Sequence, residues 1–202
     1  MRISPTLVAA VGMTLAASSL AGCGSGAKSL PARPSSPTSV AEGHSSLSTS
    51  APAPSDYTGL LIQASDINAP ETFTGSPPIN NPNGQPGVTT TFSNQERTHL
   101  IVDSIQISKD PGAAARALES AKATSGGYVH GEPEPIAIGT RGTTISGPSP
   151  DGTKGVSVLM FTEGRAFAEL EFDGPPDSLV PPDFVTDVGQ KQDAAIKKGL
   201  AG

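Results

Sequence analysis

The stretch VSVLMFTEGRAFAELEF, Val156 to Phe172, decides the fold. Two runs rich in β-branched and aromatic residues, Val156 to Phe161 and Ala166 to Phe172, flank Thr162-Glu163-Gly164-Arg165. Its glycine can take the positive φ of a tight turn, so the stretch predicts a β-hairpin. Along the second run Ala166, Ala168, Leu170 and Phe172 share one face, while Phe167, Glu169 and Glu171 share the other. Such alternation marks an antiparallel sheet with a core side and a water side.

Upstream of this hairpin, Tyr128 to His130, Ile136 to Ile138 and Thr143 to Ser146 predict further strands. Val88 to Phe92 and Leu100 to Ile107 predict a second hairpin, turning around Asn94 to Thr98. Between the two groups Asp110 supplies a helix N-cap, Pro111 a first helical position, and Gly126-Gly127 the stop, so the Ala-rich run to Thr124 predicts a helix. Its Ala113, Ala114, Ala117, Leu118 and Ala121 form a narrow stripe that allows close approach to a sheet. Thr58 to Ile67 (TGLLIQASDI) predicts a short helix, and residues 74–87 a long loop with an Asn83-Gly84 turn. After Pro175, Pro176, Pro181 and Pro182, Asp183 is expected to cap a closing helix with Phe184, Val188, Ala195 and Ile196 on its buried side. This order predicts an α+β fold, an antiparallel sheet packed with two main helices, rather than a parallel βαβ arrangement.

The N-terminus carries a different message. Arg2 precedes an apolar run, Leu7 to Ala17, of the length of an export-signal core and too short to span about 30 Å of hydrocarbon. Leu20-Ala21-Gly22-Cys23 then has the form of a lipobox, with cleavage expected between Gly22 and Cys23 and a diacylglyceryl group on the Cys23 sulfur. Cys23 is the only cysteine, which in an exported chain calls for a job other than disulfide pairing. Two or more acyl chains, at about 0.8 kcal/mol per buried methylene, hold a protein at a membrane durably. Residues 1–22 are therefore expected to be a lipoprotein signal peptide, 23–56 an acylated cysteine with a Ser/Pro/Ala-rich tether, and 57–202 the globular domain. The tether, which includes His44, has an expected reach on the order of 30 Å.

Charge and composition narrow the functional classes. Without Arg2 the mature chain has 12 basic against 19 acidic residues and no basic stripe, so neither nucleic acid nor an anionic lipid surface is an expected partner. Trp is absent and aromatics are scarce, which argues against a stacking platform. His99 and His130 lack HExxH, HxH or CxxC companions, no GxSxG elbow occurs, and the glycines of Gly139-Thr140-Arg141-Gly142 follow no phosphate-binding spacing. No catalytic residue, metal site or cofactor is expected. Glu169, Glu171 and Asp173 alternate onto one strand face, where carboxylates could meet a hard cation or a basic partner, although a solvated outer face is the simpler expectation.

The lipobox at Leu20 to Cys23, the Ser/Pro/Ala tether, the opening YTGLLIQASDI (Tyr57 to Ile67) and the closing GRAFAELEF (Gly164 to Phe172) resemble actinobacterial, mycobacterial-type cell-envelope lipoproteins of the LpqN-like kind. The resemblance implies a PsbP-like sandwich, lipid anchoring at the extracytoplasmic face of the cell membrane, and a non-enzymatic role in binding an envelope or host protein. Two rival expectations are a carrier that holds envelope lipid between sheet and helices, and an unrecognised hydrolase.

Overall fold

The computed structural model describes residues 56–201. The expected signal peptide and lipobox and most of the expected tether, Gly22 and Cys23 included, lie outside the described residues. The domain is a single eight-stranded antiparallel sheet with a helix on each face. Its strands are β1 (Phe73–Gly75), β2 (Ile79–Asn80), β3 (Gly87–Asn94), β4 (Leu100–Ile107), β5 (Glu134–Pro135), β6 (Thr140–Pro148), β7 (Gly155–Glu163) and β8 (Ala166–Gly174). They run in the order β1-β3-β4-β8-β7-β6-β5, with β2 paired beside β1 on β3. The expected α+β class holds.

Both predicted hairpins form. β7 and β8 pair from Gly155↔Gly174 to Glu163↔Ala166, leaving a two-residue turn in which Gly164 has φ 55°. β3 and β4 pair from Gly87↔Gln106 to Ser93↔Leu100, and β4 then joins β8. Strand β8 therefore lies in the middle of the sheet, and its side chains reach both layers.

Helix α1 (Pro111–Thr124) begins as predicted, with the Asp110 carboxylate accepting from the Ala113 amide at 2.7 Å. It lays Ala114 and Leu118 over Val156, Val158, Met160, Ile145 and Phe167. Helix α2 (Pro182–Leu200) covers the opposite face with Val185, Val188 and Ile196, against Leu159, Phe161, Leu170 and Phe172. Its cap position is Pro181 rather than Asp183; Pro182 takes the first turn, and Asp183 lies within that turn, where the helix dipole favours its charge. Fully burying such aliphatic and aromatic side chains contributes about 1.5–3 kcal/mol each.

Three further local expectations fail. Thr58 to Ile67 is two 3₁₀ turns, Thr58–Leu60 and Ala64–Asp66, with extended backbone between them. Gln192, fully buried on α2, accepts from the Ile62 amide (3.1 Å) and donates to the Leu60 carbonyl (2.7 Å), so the two backbone groups are satisfied across the core instead of along a helix. Tyr128 to His130 and Ile136 to Ile138 are not strands: the first leaves a 3₁₀ turn after α1, and the second flanks the short edge strand β5. The Gly/Pro/Asn loop at 74–87 carries the short strand β2 and part of β1, with left-handed Asn81 and Asn83 and Gly84 making its turn.

One polar side chain stands out in the α2-side core. Asp103 on β4 shares a face with Ile101, Ile105 and Ile107, between Thr90 of β3 and Leu170 of β8. It is fully buried, and neither carboxylate oxygen has a hydrogen-bond partner. Burial pushes its carboxyl up to about 8, so it is held protonated at neutral pH.

Candidate functional site

Two surfaces gather polar chemistry, one on each side of the sheet. On the α1 side, the helix rests on the β7 and β8 half and leaves β3 and β4 without a helical cover. Thr89 and Thr91 of β3, Val102 and Ser104 of β4, and Glu169 and Glu171 of β8 are half-buried across this half-open face. Thr89 and Ser104 hydroxyls meet at 2.8 Å.

The acid strand is therefore not the freely solvated face expected from alternation. α1 and the turn that follows it bring Tyr128 alongside, and its hydroxyl donates to Glu169 Oε1 at 3.4 Å. Burial raises the Glu169 carboxyl, and the phenol's hydrogen bond opposes that rise. Burial, then the charge of Asp173, a hydrogen bond shared with Asp173 and the charge of Glu169, push Glu171 up to about 7, with Lys154 acting in the opposite direction. Burial and the nearby glutamates raise the Tyr128 phenol. Lys154 Nζ ion-pairs with Asp173 Oδ2, which holds the ammonium up, while Asp173 Oδ1 is buried without a partner. Asp151 accepts from Ser149 Oγ (2.6 Å), Thr153 N (3.0 Å) and Thr153 Oγ1 (2.8 Å), which lowers its carboxyl to about 2. Tyr128, Asp151, Lys154 and Glu171 line a cleft of about 330 Å³.

At the far end of the α2 side lies an apolar cleft of about 260 Å³. Phe73, Ile101, Phe172, Leu179, Val180 and Phe184 line it. The Phe172 and Phe184 rings meet edge to face, with centroids 6.1 Å apart. Leu179 is 49% exposed, on a proline-flanked loop whose Asp177 is left-handed. His99 and Glu71 stand at this cleft, with His99 Nδ1 2.9 Å from Glu71 Oε1. Buried Asn94 fixes the pair: its Nδ2 donates to Glu71 Oε2 at 2.8 Å, and its Oδ1 accepts from the His99 amide at 3.1 Å. No sequence motif announces this pairing, because 27 residues of strand and turn lie between its members. Among the described residues no serine or threonine hydroxyl bonds His99 Nε2, so the histidine has an orienting carboxylate and no engaged nucleophile. His130 is exposed near the end of β6. Among the described residues no group of three His, Cys, Asp or Glu side chains could hold a metal ion, and no helix is long and apolar enough to cross a membrane.

No protein-family model matches the chain, and no curated protein matches it in sequence. Among solved structures the chain is similar to the extracellular domain of PknH from Mycobacterium tuberculosis, with a TM-score of 0.50 and 10% sequence identity. The match covers 72% of this chain and 95% of that one. At that identity the likeness is one of fold.

Proposed function

We propose that this chain is an exported lipoprotein of an actinobacterial, mycobacterial-type cell envelope, held at the membrane by acyl chains on Cys23, whose domain is a non-enzymatic binding module. The lipobox Leu20 to Cys23 supports the anchor. The similarity to a domain described as extracellular agrees with an extracytoplasmic setting. The apolar cleft beside Phe172 and Phe184 carries the binding reading: it is concave, walled by apolar side chains, and has a few convergent polar groups at His99 and Glu71. Solvent-facing Leu179 supplies an apolar contact that the domain itself leaves uncovered.

A second reading, the carrier of envelope lipid, draws on the same cleft. At about 260 Å³ it has room for the end of a chain and not for a whole lipid. The interior between sheet and α2 is filled by Val185, Val188 and Ile196, so a bound chain would enter at the end of the layer and not run along it.

Two measurements test the proposal. In a mycobacterial host, the wild-type chain should sediment with membranes and Cys23→Ser should not; equal sedimentation would refute the anchor. Protein purified from the envelope should carry an apolar ligand or partner that Leu179→Glu loses. Identical co-purification by that variant would remove the cleft from the reading.

A further inference from the structure

We propose that residues 57–67 form a proton-latched cover over the sheet, closed while Asp103 holds its proton and opening, ahead of the rest of the domain, when that proton leaves. The inference rests neither on the lipid anchor nor on the apolar cleft beside Phe172.

The cover is the least regular part of the α2 layer. It consists of two 3₁₀ turns joined by extended backbone, and such turns have poorer hydrogen-bond geometry than an α-helix. Burial of Leu60, Leu61, Ile62 and Ile67 holds it down. Its polar fastenings come from α2: Gln192 takes the Ile62 amide and the Leu60 carbonyl, and Lys191 Nζ donates to the Asp66 carbonyl at 2.7 Å. Segments of this build open locally, below the free energy of global unfolding.

Sheet order puts Asp103 beneath the seam between cover and helix. α2 packs on β7, and the cover packs on β3, where Leu61 and Ile62 line a cleft of about 430 Å³ with Thr90 and Phe92. β4 and β8 lie between β3 and β7, so the seam that Gln192 bridges runs above them. Asp103 is the polar side chain there, among Ile101, Ile105, Ala168 and Leu170, and it pairs across the strands with Thr90. Paired residues of adjacent antiparallel strands stand about 4.5–5.5 Å apart, so one side-chain position separates the carboxyl from the cleft. Thr90 gives it no hydrogen bond, because its hydroxyl donates to the Ser76 carbonyl at 2.9 Å.

Among the described residues no charge on the surrounding elements offsets an ionised Asp103. β3 turns Val88, Thr90 and Phe92 to this face, and β8 turns Ala168, Leu170 and Phe172, none of which titrates. On α2, buried Asp193 is paired with Lys197, which also reaches Glu163 at the end of β7, and Lys191 pairs with Asp187. The carboxylates of the cover, Asp56 and Asp66, accept from its own Thr58 and Gln63 amides.

Opening brings water to Asp103. Burial without a partner holds its carboxyl up to about 8 in the closed state, against 3.8 in water, so the open state releases a proton that the closed state keeps. Closure is therefore firmest in acid, weakens about tenfold per unit as the pH rises through that interval, and levels off above about 8. Lifting the cover joins the cleft at Thr90 to an apolar floor of Phe92, Ile101 and Ile105 with one carboxylate at its centre.

The test is hydrogen–deuterium exchange of the full mature chain, read by mass spectrometry and expressed as protection relative to the unstructured rate at each pH. Residues 58–67 are expected to be protected at least tenfold less than β7 at every pH, and to lose protection about tenfold per unit between pH 5 and 7. Asp103→Asn should flatten that dependence, and Asp103→Leu serves if the asparagine variant fails to fold. Asp66→Asn, which weakens the bond to the Gln63 amide, should lower the protection of the cover and keep its slope. Protection equal to that of β7 would mean that the cover opens only with the whole domain. A cover whose protection does not change with pH, a slope that survives in the Asp103 variant, or a slope lost in Asp66→Asn would mean that Asp103 is not the latch. Each of these results would overturn the proposal.

Discussion

Replacing Asp103 by asparagine should stabilise the domain at neutral pH, and the size of the effect follows from where the side chain sits. In the unfolded chain the carboxyl titrates at its ordinary value of 3.8, whereas in the core it titrates near 8. The folded state therefore holds a proton that the unfolded state has released. Over that interval stability falls as pH rises, by about 1.4 kcal/mol per pH unit, and levels off only above 8. Between pH 3.8 and 7 the wild type loses about 4 kcal/mol through this one group, against a total of about 5–15 kcal/mol for a domain. Asparagine has nearly the same shape and leaves a comparable unmatched polar group, but it has no proton to take up. The variant is expected to melt about 8–16 °C above the wild type at pH 7, taking 2–4 °C per kcal/mol for a domain of this size. The gap should close as the pH falls toward 4. Glu169 and Glu171 are also raised by burial and tilt both curves in the same sense, so the informative quantity is the difference between the two proteins in parallel melts followed by far-ultraviolet circular dichroism. A constant difference from pH 4.5 to 7.5, or a less stable variant throughout, would mean that Asp103 is ionised and matched in the fold, and the reasoning would fail.

Two substitutions test how the layers are joined. Gly189→Ala should destabilise by about 1–3 kcal/mol, even though alanine is the better helix former, because the new methyl would stand 2.4 Å from Leu159 Cδ2 and 2.7 Å from Ile138 Cδ1; a raised melting temperature would contradict the packing described. Gln192→Leu should strand the Leu60 carbonyl and the Ile62 amide at about 1–3 kcal/mol each, and open residues 58–67 to limited proteolysis before the rest of the domain. Unchanged cleavage there would show that the segment holds by its apolar contacts alone.

Where one face of an element meets one layer, the amino-acid pattern is a sufficient guide. The alternation from Ala166 to Phe172, the glycine turn before it, and Asp110-Pro111 at the start of α1 each point to the observed structure through local geometry. Alternation also puts Asp103 in line with Ile101 and Ile105, although only the packed neighbours reveal that it has no partner. Legibility ends where distant residues decide. The 58–67 segment takes its backbone partners from Gln192, some 130 positions away, so helical propensity loses to a side chain invisible from that segment. Glu169 and Glu171 read as a wet face because nothing near them in the chain foretells how far α1 and Tyr128 extend over β8. The Glu71 and His99 pairing needs the β3 to β4 turn to be built first.

Strand β8 interleaves two kinds of residue: Leu170 and Phe172 belong to the interior, while Glu169 and Glu171 look the other way. Sliding the strand by a single position would exchange the sets, driving carboxylates inward and hydrocarbon outward. The acidic positions can accordingly be altered one at a time, Gln or Thr for Glu, with the scaffold intact. Inserting or deleting one residue anywhere between Ala166 and Gly174 would dismantle both sides together. Diversity along this strand is thus confined to exchange of side chains at fixed length, and lineages that retune the exposed row must keep the spacing that seats the buried one.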